Sequence, residues 1–87
     1  MSRIAVVSII IDHSGTEVRN EVNRLLHQSA KYIIGRLGLP YRRRNLNVIV
    51  VVLDAPLNAV SALAGKLGAL PGVSAKATYS KHEFTLE

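Results

Sequence analysis

The chain has 87 residues, a formal net charge of +5 at neutral pH and no cysteine. This length suits one small domain with a single core, and we predict one domain over residues 1–87. The lack of cysteine excludes disulfides, thiolate metal sites and a cysteine nucleophile. Only four residues are aromatic, which disfavours single-stranded nucleic acid as a partner, because such recognition depends on aromatic stacking.

The first predicted elements are a strand and a helix. Residues 4–11 are rich in β-branched side chains and end at Asp12, so they predict a buried strand. This run is too short to span a membrane and lacks a signal-peptide cleavage site, so we expect a cytoplasmic protein. The stretch "SGTE" at residues 14–17 has capping-box spacing and predicts a helix start. The apolar stripe of that helix is Val18, Val22, Leu25 and Leu26.

The end of the first helix is open to two interpretations. The helix could run to Gly38, or it could end near Ser29 and be followed by a strand at residues 31–37. The β-branched pair that begins at Ile33 favours the strand, and Gly35 disfavours a helix interior. We therefore predict the strand.

The middle of the chain predicts a connection, a strand and a second helix. Residues 40–46 are polar enough for a connection, and residues 47–53 form the clearest strand pattern. Pro56 suits the first turn of a helix, and Gly68 suits its C-terminal cap. The predicted buried stripe of this helix is Leu57, Val60, Ala64 and Leu67.

The last predicted strand completes a ferredoxin-like order. Pro71 and Gly72 favour a type II turn, and the alternation over Val73–Tyr79 predicts a strand. The order β-α-β-β-α-β predicts an α+β fold with a four-stranded antiparallel sheet and two helices on one face.

Both faces of the first and third predicted strands are apolar. Whichever face the helices cover, a row of aliphatic side chains remains on the other face. Exposed aliphatic patches of this kind usually mark an interface. We therefore expect a homo-oligomer, a dimer or a tetramer, that associates through the open sheet face.

The three histidines form no metal motif. His13, His27 and His82 are not spaced as a helical metal-ligand pair, and no cysteine accompanies them. We expect no cofactor, and a metal site between subunits that uses His27 is kept as an alternative. Catalysis is not expected, because Asp12, His13 and Ser14 are adjacent in sequence, whereas the members of a catalytic triad converge in space.

The arginine run at residues 42–44 has two interpretations. Arg42, Arg43 and Arg44 are expected to be solvated in a turn. As an alternative, they could bind the phosphates of a nucleic acid in a salt-dependent way, although they match no sequence-reading motif.

Two long stretches carry a family resemblance. The segments "VNRLLHQSAKYIIGRLGLPYR" and "NVIVVVLDAPLNAVSALAGKLGALPGVSAKATYSK" resemble the small ACT-like proteins known as iron-only hydrogenase system regulators. The most specific parts are "IIGRLGLPYR" and "SALAGKLGALPGV". The resemblance implies an ACT-like domain, a regulatory role, a homo-oligomer and a link to hydrogenase assembly. We therefore expect a non-enzymatic module that senses a small ligand or docks on a partner.

The resemblance also implies where a small ligand would bind. ACT-like domains commonly bind ligands at subunit interfaces near the first strand-to-helix turn. On this chain the implied ligand-binding residues are His13, Ser14, Gly15, Asn20, Asn23 and His27.

A more distant similarity is to the nickel-sensing C-terminal domain of the nickel-responsive regulator. The similarity places one nickel-binding histidine of that domain on His27. Its other three ligands fall on Gly38, Pro40 and Leu46, whose side chains cannot coordinate a metal. A square-planar nickel site of that kind is therefore not expected here.

Overall fold

The computed structural model describes residues 1–12 and 15–85. Two helices and four strands follow each other in the order β-α-β-β-α-β, which confirms the predicted order. The elements are β1 (Arg3–Asp12), α1 (Thr16–Gln28), β2 (Ile33–Tyr41), β3 (Leu46–Ala55), α2 (Leu57–Gly68) and β4 (Val73–Tyr79). Neither helix of the described residues is long and apolar enough to cross a membrane.

The strands form one antiparallel sheet in the order β2-β3-β1-β4, which confirms the α+β ferredoxin-like fold. β1 and β3 are paired over their full lengths, from Arg3 opposite Ala55 to Asp12 opposite Leu46. Both strands consist largely of Val and Ile, which pack well on a pleated surface. β2 and β4 are the two edge strands of the sheet.

The core lies between the sheet and the two helices. Alternate residues of β1 are buried there because side chains of a strand point to opposite faces in turn. Val22, Leu25 and Leu26 are the buried residues of α1. The strand residues that meet the helices are Ala5, Val7, Ile9, Ile11, Val51, Leu53, Ala55 and Val73.

The start of α1 differs from the predicted capping box. The N-cap residue is Gly15, which has no side chain to cap the helix, and Thr16 is the first helical residue. The predicted cap, Ser14, lies outside the described residues, as does His13. The helix ends at Gln28, so the interpretation that places a strand after Ser29 is confirmed.

The predicted connection at residues 40–46 is wrong, because β2 continues through Pro40 to Tyr41. Proline lacks a backbone N–H and is tolerated in a strand only at a sheet edge or a bulge. β2 is an edge strand, and Pro40 pairs with Asn47 on β3. The connection itself is short: Arg42–Arg44 form a single 3₁₀ turn, and Asn45 closes it with a left-handed φ of 55°.

The buried stripe of α2 also needs correction. Val60 and Leu67 are buried as predicted, but Leu57 is 53% exposed and Leu63 takes its place in the core. Leu57 is the first residue of the helix, since Pro56 is the N-cap. Gly68 is the last helical residue, and Ala69 is the C-cap.

Candidate functional site

The sheet face away from the helices is aliphatic, as predicted from the strand patterns. We call it the open face. Val6, Ile10, Leu37, Leu39 and Tyr41 on β1 and β2 are each 39% to 56% exposed. β3 adds Val48, Val50 and Val52 between them, and these are partly buried. The flank formed by β4 is polar, with Ser74, Lys76 and Thr78 opposite Ile10, Ser8 and Val6.

A groove separates α1 from the edge strand β2. It has a volume of about 640 Å³, and we call it the α1–β2 groove. Its helix side includes Asn20, Asn23 and His27, which lie on one stripe because their spacing is three and four residues. The full lining is Asn20, Asn23, Arg24, Leu26, His27, Ala30, Ile33 and Arg36.

A smaller pocket of about 220 Å³ adjoins the groove. We call it the Gly38 pocket, because Gly38 lies in its lining on β2. Asn23 and Arg36 line both the groove and the pocket, so the two cavities are adjacent. The remaining lining residues are Ile11, Arg19, Leu39, Pro40, Asn47, Val48 and Ile49.

Sheet register explains how β2 contributes to these cavities. Arg36 pairs with the buried Val51, and Gly38 pairs with Ile49, so both residues lie on the helix-facing side of the sheet. Paired residues of antiparallel strands share a face. Leu37 and Leu39 therefore lie on the other side, in the open face.

One hydrogen bond joins the helix and the strand across the groove. The Nη2 of Arg36 donates to the Oδ1 of Asn23 at 2.9 Å. This bond holds one nitrogen of the guanidinium against α1 and leaves its other N–H groups available. Asn23 therefore acts as a positioning residue for Arg36.

The second arginine of the groove is already paired. Arg24 donates from Nε and Nη2 to the two carboxylate oxygens of Glu21, at 2.7 and 2.5 Å. These hydrogen bonds lower the pKa of the Glu21 carboxyl and raise the pKa of Arg24. Any stability from the pair is present above the unfolded pKa of the carboxyl and is lost as pH falls through the lowered folded value. Because both groups are solvent exposed, that stability is small.

The predicted ligand-binding residues fall into three groups. Asn20, Asn23 and His27 come together in the α1–β2 groove. Gly15 is exposed at the start of α1 and does not line the groove or the Gly38 pocket. His13 and Ser14 lie outside the described residues.

The arginine turn lies at the far end of the β2–β3 hairpin. Arg42, Arg43 and Arg44 are all exposed there, and Arg42 lines a further cavity together with Arg19. Over residues 1–12 and 15–85, no group of three or more His, Cys, Asp or Glu side chains is placed to hold a metal ion.

Sequence reasoning missed Arg19, Arg24, Arg36 and Gly38 as lining residues. Arg36 and Gly38 belong to the predicted second strand, whose face could not be assigned without its register against β3. The helical spacing of Arg19 and Asn23, four residues apart, would have placed Arg19 beside Asn23 on α1.

This geometry defines a class: a ferredoxin-like α+β domain with an aliphatic open sheet face and a polar groove beside its first helix. The sequence matches, over residues 3–77, the family model described as "TM1266-like: Iron-only hydrogenase system regulator, putative". The chain belongs to this family, which confirms the resemblance found in the sequence. A search of curated proteins gave no match.

Solved structures agree with the family and the fold. The uncharacterized protein TM1266 from Thermotoga maritima is 32% identical, with a TM-score of 0.89 over 93% of this chain and 100% of its own. A formyltetrahydrofolate deformylase from Pseudomonas putida KT2440 is 18% identical, with a TM-score of 0.65 over 91% of this chain and 29% of its own. The C-terminal domain of the MgtC protein from Mycobacterium tuberculosis is 16% identical, with a TM-score of 0.65 over 98% of this chain and 95% of its own. The last two share the fold alone.

Proposed function

We propose that this protein is a non-enzymatic regulatory module of the iron-only hydrogenase system that binds a small ligand in the α1–β2 groove. The observation that carries this proposal is the meeting of Asn20, Asn23 and His27 with Arg36 in one groove. Amides, an imidazole and a guanidinium offer both donors and acceptors to a polar ligand. The description of the family as a regulator supports the regulatory part of the proposal.

We further propose that the module works as a homo-oligomer whose open face is covered by a second copy of the chain. The aliphatic part of this face consists of three of the four strands, each of nine or ten residues. At a rise of about 3.3 Å per residue and a strand spacing of about 4.8 Å, it spans roughly 30 by 15 Å. That planar footprint, about 450 Å², is a little over half of the ~800 Å² that each partner contributes to a standard stable interface. A second copy presents the same aliphatic strands, so an aliphatic surface can pack against an aliphatic surface.

A thermal-shift screen tests the ligand-binding role. Amino acids, nucleotides and divalent metals are added separately to the purified protein, and the melting temperature is measured. A ligand present at about 100 times its dissociation constant should stabilise the folded state by about 2.7 kcal/mol, which raises Tm by roughly 10–20 °C in a domain of this size. The divalent metals in this screen also test the alternative metal site at His27.

Asn23→Ala tests whether the ligand binds in the cavities that Asn23 lines, the groove and the adjacent Gly38 pocket. This substitution removes the acceptor that holds Arg36 and should reduce the shift produced by any ligand found. The matched control is Asn58→Ala on the exposed start of α2, which should leave the shift unchanged. If no compound changes Tm, the ligand-binding role is wrong and a docking role remains.

A second candidate function is nucleic-acid binding by the arginine turn. The exposure of three adjacent guanidinium groups on one 3₁₀ turn favours it. Double-stranded DNA should then bind measurably at low salt and weaken steeply as the salt concentration rises, because binding releases counterions. Fluorescence anisotropy with a labelled duplex measures this dependence.

The triple variant Arg42→Ala, Arg43→Ala, Arg44→Ala should abolish duplex binding. Lys66→Ala on α2 is the control, since it removes one exposed positive charge away from the turn. Unchanged binding by the triple variant would exclude the turn as the contact.

A further inference from the structure

The Gly38 pocket combines an apolar wall with positive charge. Its lining includes Ile11 and Ile49 on the helix-facing side of the sheet, together with Arg19 and Arg36. Gly38 lies on the helix-facing side of β2, and a Cβ built there meets no atom within 4 Å. The pocket is thus a space beside the glycine that a side chain at this position would fill.

The ion pairs of the described arginines lie outside the Gly38 pocket. Arg24 is ion-paired with Glu21, and Arg3 is ion-paired with Glu83. Among the described residues, neither Arg19 nor Arg36 has a carboxylate partner in an ion pair. Guanidinium groups form strong, charge-assisted hydrogen bonds to carboxylates and phosphates.

The bond to Asn23 prepares Arg36 for this role. A guanidinium has five N–H donors, and Asn23 uses one of them at 2.9 Å. Arg36 lines both the α1–β2 groove and the Gly38 pocket. A side chain held in place loses less conformational entropy when it binds a ligand.

We propose that the Gly38 pocket binds a small organic anion, with its carboxylate or phosphate group on Arg36 and Arg19 and its short apolar group against the wall beside Gly38. This inference rests on the proposed ligand-binding function and specifies the chemistry of the ligand. The proposed ligand site thus includes the Gly38 pocket as well as the α1–β2 groove.

The test uses four probes of defined chemistry on the full chain. Isovalerate and 3-methylbutyl phosphate carry the same branched apolar group on different anionic heads, and isovaleramide carries it on a neutral head. Inorganic phosphate carries the anionic head alone. Binding is followed by chemical-shift changes of the backbone amides of Gly38 and Arg36 during NMR titration.

At least one branched anion should bind, and isovaleramide should bind about tenfold or more weakly, since a hydrogen bond to a charged group contributes about 1.5–3 kcal/mol. The anion that binds more tightly identifies the head group as carboxylate or phosphate. Inorganic phosphate should also bind more weakly than 3-methylbutyl phosphate if the phosphate is the head group.

Gly38→Val tests the place of binding without disturbing the fold. Valine favours a strand, and the space at residue 38 is open, so the variant should fold and fill the pocket. It should weaken binding of the anion by about tenfold or more, and so should Arg36→Gln. Gly35→Val is the matched control, because residue 35 pairs with Val52 on the open face and also has open space.

The outcomes separate this inference from the general proposal. If both anions fail to bind, or bind no better than isovaleramide, the inference is wrong. It is also wrong if Gly38→Val binds the anion as the unchanged protein does. In either case, a ligand from the thermal-shift screen whose effect depends on Asn23 would leave the proposed function standing.

Discussion

Replacement of Gly72 by alanine is expected to lower the free energy of unfolding by about 2–4 kcal/mol. Gly72 has a φ of +71°, and an alanine in this left-handed region costs roughly 1–2 kcal/mol. A Cβ at this position would lie 2.5 Å from the backbone oxygen of Asp12, so backbone must move. That movement would also weaken the hydrogen bond from the Asp12 N–H to the Gly72 oxygen, which measures 2.7 Å.

Chemical denaturation at one fixed protein concentration measures this effect. The matched control is Gly65→Ala, which makes the same change in the helix α2, where a Cβ meets no atom within 4 Å. The control should be stabilised by about 0.5–1 kcal/mol, because alanine is the better helix former. An equal loss of unfolding free energy in both variants would contradict a specific requirement for glycine at residue 72.

Substitution of Leu37 by aspartate is expected to convert the proposed homo-oligomer into a monomer of 9.5 kDa. Leu37 is 56% exposed and pairs with Val50 of β3 on the open face. In an assembly closed over this face, the carboxylate would be buried against aliphatic side chains without a partner, which is strongly unfavourable. In the isolated subunit it remains in water, so the fold should persist.

Sedimentation analysis over a range of concentrations measures the mass, and circular dichroism checks the fold. The control is Asn58→Asp on the exposed start of α2, which adds the same negative charge away from the open face. A monomeric unsubstituted protein at every concentration would refute the assembly, and an oligomeric Leu37→Asp variant would place the interface elsewhere.

Local patterns in the sequence were sufficient for most of the fold. The alternation over Val73–Tyr79 predicted β4 with the observed bounds. The Pro71–Gly72 pair predicted a type II turn, and Gly72 has the required positive φ, with the Val73 N–H bonded to the Leu70 oxygen at 3.2 Å. These predictions succeeded because a strand pattern or a turn depends on residues that are near each other in the chain.

The errors concern features that depend on distant parts of the chain. Pro40 was predicted to lie in a connection, and it is part of β2 because the sheet order makes β2 an edge strand. Leu57 was predicted to be buried, but Leu63 is buried in its place because the packing of α2 on the sheet selects the covered side. The periodicity of apolar residues within one segment does not show whether a strand lies at the edge of a sheet. It also does not show which side of a helix packs on the sheet.

By itself, the sequence determined the β-α-β-β-α-β order and the aliphatic open face, since both follow from the spacing of apolar residues along each element. It also indicated Asn20, Asn23 and His27, which the structure places in one groove. Only the tertiary structure brought Arg36 to Asn23 and placed Gly38 beside a pocket. Asn23 and Arg36 are 13 positions apart, and their contact depends on the register of β2 against β3 and on the position of α1 beside β2. Such contacts form between elements, so no pattern within one element specifies them.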